Sequence, residues 1–404
     1  MKKFSYKVKD KVTGKIVKGE ISADSKRAAG KALIDQGYIL QDDIYEVGQE
    51  NPLNRFLNRI TTKDKIVFTR QFATLIGAGL PLAQALRTVS EQTENKKMRS
   101  VIDEILASVE SGSSLKDAFS KFPDVFDKVY LALIAAGEMS GTLDESLRRV
   151  ATQQEKDAAM ISKIRGALTY PVIVLVVIGL VMAFMMVQVV PQVKQLYKDM
   201  HQELPFATQI LIGISDFMIN FWWLVLVGIG VAGYFFRQYL KTESGIKFAA
   251  NFKLNVPLFS PLFRKLYMAR FARTGQLLLS TGVAMLDMLN ICGDAMNNVI
   301  VKKSIDEAGK LVQGGKSLSE SLKGKDYVLD MVPQMINIGE QSGKIDEMLG
   351  KTAQVYEDEL DEEIRALSTA IEPVLMVFLA IVAGTMVAAI LLPIYSLVGN
   401  INIR

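Results

Sequence analysis

Three long apolar stretches interrupt an otherwise mixed pattern: Tyr170 to Val190, Phe217 to Phe236, and Pro373 to Leu392. At about 1.5 Å rise per residue, about 20 residues cover the roughly 30 Å hydrocarbon core, so each is predicted to be a transmembrane helix. Inside them only Gln188 and Asn220 are strongly polar, while Thr385 can bond its own helix backbone, and none carries a charge. Buried core helices of a soluble protein usually run shorter. Upstream, the first ten residues alternate polar and apolar at period two and predict a strand instead of a signal peptide. A turn at Thr13 and Gly14 leads to a second strand, Lys15 to Ile21. Ala23 to Gln36 reads as a helix that stops at Gly37. Asn51 and Pro52 break the chain, and from Thr62 the pattern is helical.

The helical pattern occurs twice. Phe68, Arg70, Leu75, Gly79 and Leu86 recur as Phe271, Arg273, Leu278, Gly282 and Leu289, at a shift of 203 residues. Glu104, Val109, Gly112, Ser114 and Leu115 return at the same shift as Glu307, Val312, Gly315, Ser317 and Leu318. One residue is then lost, and the run from Gly137 to Glu145 returns as Gly339 to Glu347. The match continues through Pro171 to Pro373 and Pro191 to Pro393, so the repeat includes a membrane helix. Met98, Ile102, Ile105, Leu106 and Val109 form one apolar stripe at helical spacing. Ser113 and Ser114 offer an N-cap to the next short helix, which Pro123 closes. Each copy is predicted to be a bundle of about six helices whose last helix enters the bilayer.

The pattern predicts an all-α polytopic membrane protein with two repeated cytoplasmic helical bundles, three transmembrane helices and a small N-terminal α+β domain. The expected order is the α+β domain (1–48), a linker (49–62), the first bundle (63–168), a first span (169–190) and an extracytoplasmic loop (191–216). A second span (217–236), a basic cytoplasmic connector (237–263), the second bundle (264–371), a third span (372–393) and an extracytoplasmic tail (394–404) follow.

Charge sets the orientation. Eight basic residues (Arg237, Lys241, Lys247, Lys253, Arg264, Lys265, Arg270 and Arg273) face one acid, Glu243, after the second span. The loop before that span holds Lys194 and Lys198 against Asp199, Glu203 and Asp216. Basic loops stay in the cytoplasm, which places the N-terminus inside and the C-terminus outside. The net charge of +4 over the chain is too weak a field for a dedicated nucleic-acid binder.

Cys292 is the only cysteine and His201 the only histidine, which excludes an internal disulfide and a Cys/His zinc site. A Ser-His-Asp or Cys-His pair would have to use His201, which lies in a polar stretch between apolar spans and reads as a solvated loop residue. Cys292 lies on an apolar helix and reads as a small buried hydrophobe. No cofactor or metal site is expected.

The most conspicuous polar motif is the repeated turn Gly137, Glu138, Ser140, Gly141 and Gly339, Glu340, Ser342, Gly343. Its glycines permit a tight turn between helices, and its carboxylates either accept local hydrogen bonds and cap a helix or hold a cation or basic partner. Ser140 or Thr142 is expected to cap the helix that follows, Glu145 completing a capping box with Thr142. Gly314 to Ser317 resembles the end of a phosphate loop but lacks its upstream glycine and strand, and reads as a helix-to-helix turn. The acidic run Glu357 to Glu363 is either a solvated helix face or a docking surface for a basic partner. Pro171 and Pro373 mark where each copy meets the bilayer, near a helix start or at a kink.

The paired Phe-x-Arg segments, the two Gly-Glu-x-Ser-Gly turns, the Asn255 to Phe259 segment and the ending Leu392 to Tyr395 resemble the type II secretion F / type IV pilus platform (PilC) family. The resemblance covers nearly the whole chain. It implies a multi-pass platform in the bacterial inner membrane that is not an enzyme. The implied partners are a cytoplasmic hexameric assembly ATPase, pilins or pseudopilins, other inner-membrane assembly components, membrane lipids and further copies of the chain, with no nucleic acid. Pilus assembly is the favoured branch and type II secretion the alternative. A transporter or channel is disfavoured, because three spans without an intramembrane charge give one monomer little to build a solute path from.

The basic-residue asymmetry predicts that a cysteine engineered at Lys247 stays unlabelled by an impermeant thiol reagent in intact cells and reacts after permeabilisation. Strong labelling of intact cells reverses the orientation.

Overall fold

The computed structural model describes residues 2–10, 16–23, 26–35, 38–40, 45–46, 59–199, 206–257 and 259–401. The turn at Thr13 and Gly14, the helix stop at Gly37, the break at Asn51 and Pro52, and His201 lie outside the described residues. The chain forms two compact units: Met1–Phe68 with Leu86–Ala107, and Thr69–Ala85 with Ser108–Arg404.

In the first unit β1 (Lys2–Asp10) pairs antiparallel with β2 (Ile16–Ala23), from Lys2 opposite Ala23 to Lys9 opposite Ile16. Helix α1 (Lys26–Asp35) buries Ala29 and Leu33, and β3 (Tyr38–Leu40) and β4 (Tyr45–Glu46) also pair with β1. Helix α2 (Thr62–Gly77) starts on a reciprocal cap, in which Asp64 N–H donates to Thr61 Oγ1 (3.2 Å) and Thr61 N–H to Asp64 Oδ2 (2.7 Å). Helices α3 (Leu82–Gln92) and α4 (Lys96–Glu110) follow, α4 capped by Asn95 Oδ1 on the Lys97 and Met98 N–H groups. Met98, Ile102 and Ile105 of the apolar stripe are fully buried, while Leu106 and Val109 are half-buried.

The second unit continues with α5 (Leu115–Ser120), α6 (Lys128–Ser140) and α7 (Leu143–Phe184). Phe119 is fully buried and meets Phe72, Phe126 and Tyr130 edge-on, with centroid distances of 6.4, 4.5 and 5.2 Å. The second copy repeats the helix order as α12 (Ser260–Ser280), α13 (Met285–Ala295), α14 (Val299–Gln313), α15 (Leu318–Leu322), α16 (Met331–Ser342) and α17 (Ile345–Ile401). Cys292 sits in its core, fully buried, and burial raises its thiol pKa well above the ordinary range.

Between the copies, α7 passes through a π-helical segment (Met185–Val189) into α8 (Val190–Asp199), and α9 (Phe206–Asn220), α10 (Trp222–Tyr239) and α11 (Glu243–Asn255) complete the connection. Ser215 of α9 donates to the Met186 carbonyl in the π segment, and Lys194 pairs with Asp216 at 2.7 Å. These bonds hold α9 to the end of the first apolar helix. Residues 191–199, read from the sequence as the start of a loop, are helix, because apolar length alone does not register an amphipathic continuation such as Gln192 to Lys198.

The second apolar stretch departs from expectation in a different way. At Phe221 (φ −122°, ψ 25°) the chain bends by 82° between α9 and α10. The stretch from 217 to 236 therefore divides between two helices. Among the described residues, the Leu143–Asp199 run and Ile345–Ala388 are long and apolar enough to cross a membrane, and the α9–α10 pair reaches that measure only when the bent pair is counted as one span.

Replacing Phe119 by Ala should destabilise the protein by about 3–5 kcal/mol through the cavity left among three rings. Denaturation of the detergent-solubilised protein measures it, and a change below about 1 kcal/mol contradicts the packing described.

Candidate functional site

The two turn motifs have the same local geometry. The turn itself belongs to the second glycine: Gly141 (φ 73°) and Gly343 (φ 70°) adopt the left-handed conformation just after the last helical residue of α6 and α16. Thr142 N–H then reaches back to the Gly137 carbonyl (2.9 Å), and Lys344 N–H to Gly339 (2.8 Å). The first glycine lies inside the helix and serves close packing. A Cβ at Gly137 would stand 2.4 Å from Ser146 Oγ, and one at Gly339 would stand 2.7 Å from the Ile345 Cα. Ser140 and Ser342 do not cap the following helix; they donate to their own helix at Ala136 (2.7 Å) and Ile338 (2.8 Å). Thr142 makes no side-chain cap either, because its hydroxyl bonds Ser140 Oγ at 2.7 Å and Glu145 is drawn to Arg149 four residues on. The expected capping box is therefore absent.

Glu138 and Glu340 reach across to another helix start. Glu138 accepts from the Leu115 and Lys116 N–H groups (2.7 and 3.2 Å), and Ser114 Oγ accepts from Asp117 N–H (3.0 Å). Glu340 accepts from the Leu318 N–H (2.6 Å), the Ser319 N–H (3.3 Å) and the Ser319 hydroxyl, beside the Ser317 cap. A carboxylate at the unsatisfied first turn of α5 or α15 meets both its hydrogen-bond demand and its partial positive charge. Pro171 and Pro373 stand within the continuous helices α7 and α17, neither at a helix start nor at a break.

A second repeated feature escaped the sequence reading. Arg70 Nε donates to Glu155 Oε1 at 2.8 Å, and Arg273 makes two parallel bonds of 2.8 Å to Glu357. The arginines mark the repeat, and their acids sit at matching positions on α7 and α17, so the 202-residue shift was the signal available. The first pair is partly exposed, while the second is enclosed, with side-chain exposures of 14% and 16%.

Glu357 belongs to the acidic run, of which Glu357, Glu359, Asp361 and Glu363 pair with bases of the same chain while Asp358 and Glu362 are exposed. Lys265 of α12 lies between Glu359 (3.0 Å) and Glu363 (2.8 Å), and Lys163 and Lys156 of α7 reach Asp361 (2.7 Å) and Glu357 (3.4 Å). Asp294 of α13 joins Lys128 and Lys302, whose hydrogen bonds lower its pKa below the usual carboxylate range. Arg149 donates to Ser280 Oγ at 2.7 Å. In these ion pairs the bases come from α6 and α7 and the acids from the second copy, and Asp157 of α7 with Arg270 of α12 is arranged the other way round.

At its centre a cavity of about 150 Å³ is lined by Asp127, Tyr130, Gln154, Asp157, Arg270 and Asn297, among others. Burial pushes the Asp157 carboxyl above the usual aspartate range, against the pull of Arg270 across the seam and of Gln153, which donates to it at 3.0 Å. No cluster of His, Cys, Asp and Glu that could hold a metal occurs among the described residues.

With this geometry in view, the profile described as type II secretion system (T2SS), protein F, matches residues 68–191 and again 271–393, and the N-terminal domain of the same family matches residues 1–42. The chain belongs to the type II secretion system protein F family. It is 37% identical over 407 residues to a type IV pilus assembly protein PilC of Thermus thermophilus, covering 99% of both chains. It is also 37% identical over 344 residues to a Pseudomonas aeruginosa protein of the same name, covering 85% of this chain and 92% of that one. A type II secretion system protein F of Aeromonas hydrophila is 34% identical over 387 residues, or 94% of this chain and 99% of that one. The twofold match coincides with the two helical copies, so the family's unit is one copy together with its apolar helix.

Glu340→Ala should cost about 1–3 kcal/mol in denaturation experiments by leaving the N–H groups at the start of α15 without an acceptor, and Glu340→Gln should cost less. Equal losses for the two variants contradict a capping role. The raised Asp157 pKa means that the folded state holds a proton where the unfolded state has released it. Its effect on stability is therefore most favourable below the usual aspartate pKa and declines as pH rises through the folded value. Asp157→Asn should raise neutral-pH stability and flatten that slope, whereas unchanged pH dependence removes Asp157 from the account.

Proposed function

We propose that this protein is an inner-membrane platform of a type IV pilus assembly machine. In this role it couples a cytoplasmic hexameric assembly ATPase to extraction of pilins from the bilayer. The observation that carries the reading is family membership over nearly the whole chain. The pilus-assembly relatives span 33–39% identity and the type II secretion relatives 32–34%, and the three pilus-assembly relatives at 37–39% supply the preference. The equivalent platform of a type II secretion system, acting on pseudopilins, is the second reading, favoured by those same secretion relatives.

In this reading the chain crosses the membrane three times, the α9–α10 pair supplying the second crossing. The N-terminus and residues 237–372 face the cytoplasm, and residues 191–216 and the C-terminus lie outside, as the basic-residue asymmetry supports. The N-terminal strands and α1 form a separate small α+β domain, and the boundaries follow the order read from the sequence. The protein is a non-enzymatic, oligomeric scaffold, and its cytoplasmic helices offer the surface to the ATPase. Glu138 and Glu340 act as internal caps instead of partner contacts, because their oxygens already accept backbone N–H groups. Pro171 and Pro373 stand where α7 and α17 meet the bilayer, and the unbroken backbone there supports direct transmission of movement from cytoplasmic helix to span.

Deleting the gene should abolish surface fibres while secretion of exported enzymes continues, as scored by electron microscopy and culture-supernatant assays. Lost secretion with intact fibres selects the second reading. ATP hydrolysis by the purified chain without a partner ATPase overturns both.

A further inference from the structure

Helix α11 follows α10 after a short turn in which Thr242 Oγ1 accepts from Gly245 N–H at 3.1 Å. One face of α11 carries buried Ala250 and Leu254, and the helix packs on α12 and α14, while Gly245 is buried under the end of α10, where a Cβ would stand 1.9 Å from the Tyr239 carbonyl oxygen. Phe248 and Phe252, four residues apart on the opposite side, are 52% and 54% exposed. They continue a line of rings from the preceding helix: Tyr239 lies 6.3 Å from Phe248, and Phe248 lies 6.2 Å from Phe252. In α10, exposed Trp222 and Trp223 stand at one end and Tyr234, Phe235, Phe236 and Tyr239 at the other, with no buried residue between. With the α9–α10 pair taken as the second crossing, these two groups of rings stand where aromatic belts meet the water interfaces. Arg237, Lys241, Lys247 and Lys253 lie along the same stretch of chain against one acid, Glu243; Lys247 pairs with Glu243 at 3.2 Å and Lys253 stands over the Phe263 ring at 5.7 Å.

We propose that α11 lies in the membrane interface, with Phe248 and Phe252 seated at the headgroup boundary and the neighbouring basic side chains drawn to anionic lipid. Two observations identify the occupant of this face as a lipid surface: the rings continue from the membrane belt, and an excess of basic charge flanks them. Anchored on its other face to α12 and α14, the helix fixes the second copy's height against the bilayer. This inference rests on α10 crossing the membrane, and the test separates the two.

Single cysteines replacing Phe248, Phe252 or Gly230 in the full chain are labelled with an environment-sensitive fluorophore in a Cys292→Ala background. A side chain at Gly230, in mid-α10, meets no atom within 4 Å. The proteins are reconstituted into phosphatidylethanolamine/phosphatidylglycerol vesicles carrying spin-labelled lipids. Labels at positions 248 and 252 should show blue-shifted emission that is lost to quenchers near the headgroup, with less loss in phosphatidylcholine vesicles. The label at position 230 should be quenched by spin labels at the bilayer centre. Water-like emission at 248 and 252 overturns the inference, as does a blue shift without lipid quenching, which is the signature of protein contact such as a second copy. Equal quenching in neutral vesicles overturns the anionic assignment. If position 230 is unquenched, the crossing of α10 fails and the inference falls with it.

Discussion

The structure depends on one constraint: the last helix of each copy is the same helix that becomes apolar. Helix α7 runs unbroken from Leu143 through Phe184, and α17 from Ile345 to Ile401, which at about 1.5 Å per residue makes α17 about 85 Å long. Each must satisfy water and protein packing at one end and hydrocarbon at the other. An α-helix can do so because its backbone hydrogen bonds are internal throughout. Pro171 and Pro373 each remove one donor without ending the helix, and the remaining bonds carry the axis across.

The helical parts of these rods are fixed by the same repeated interactions. An arginine from the first helix of each copy grips a glutamate on the rod, and Gly137 or Gly339 lets the preceding helix approach the rod's first turn closely. The glutamate beside that glycine caps α5 or α15. One short motif thus closes a helix, admits a close contact and starts another helix. A motif can satisfy three local demands at once without providing a reactive group.

The copies differ where they meet. Lys156 and Lys163 face Glu357 and Asp361, whereas the repeat-related counterpart of Lys156 is Asp358 and that of Asp361 is Ala159. The seam is built from unlike faces. Exposed ion pairs of this kind contribute about 0–1 kcal/mol each, so they set register more than stability. The enclosed Arg273–Glu357 pair and the half-buried Asp157 are more sensitive to their surroundings, since less water screens them.

Apolar length, the shift of about 203 residues and the helical stripes made the duplicated helices and the membrane class legible in the sequence, because helix period and hydrocarbon thickness are properties of local sequence. The left-handed glycines Gly141 and Gly343 and the Ser114 cap are local for the same reason. What only the tertiary structure decided are relations between distant residues: Glu138 over the start of α5, Arg273 on Glu357, and the acidic run met by lysines of its own chain. The bend at Phe221 also belongs there, since α9 is held by Ser215 and Asp216 to the end of the first apolar helix while α10 leaves it. Hydropathy sums residues along the chain and registers neither a side-chain bond across 29 residues nor the direction a helix takes once that bond forms.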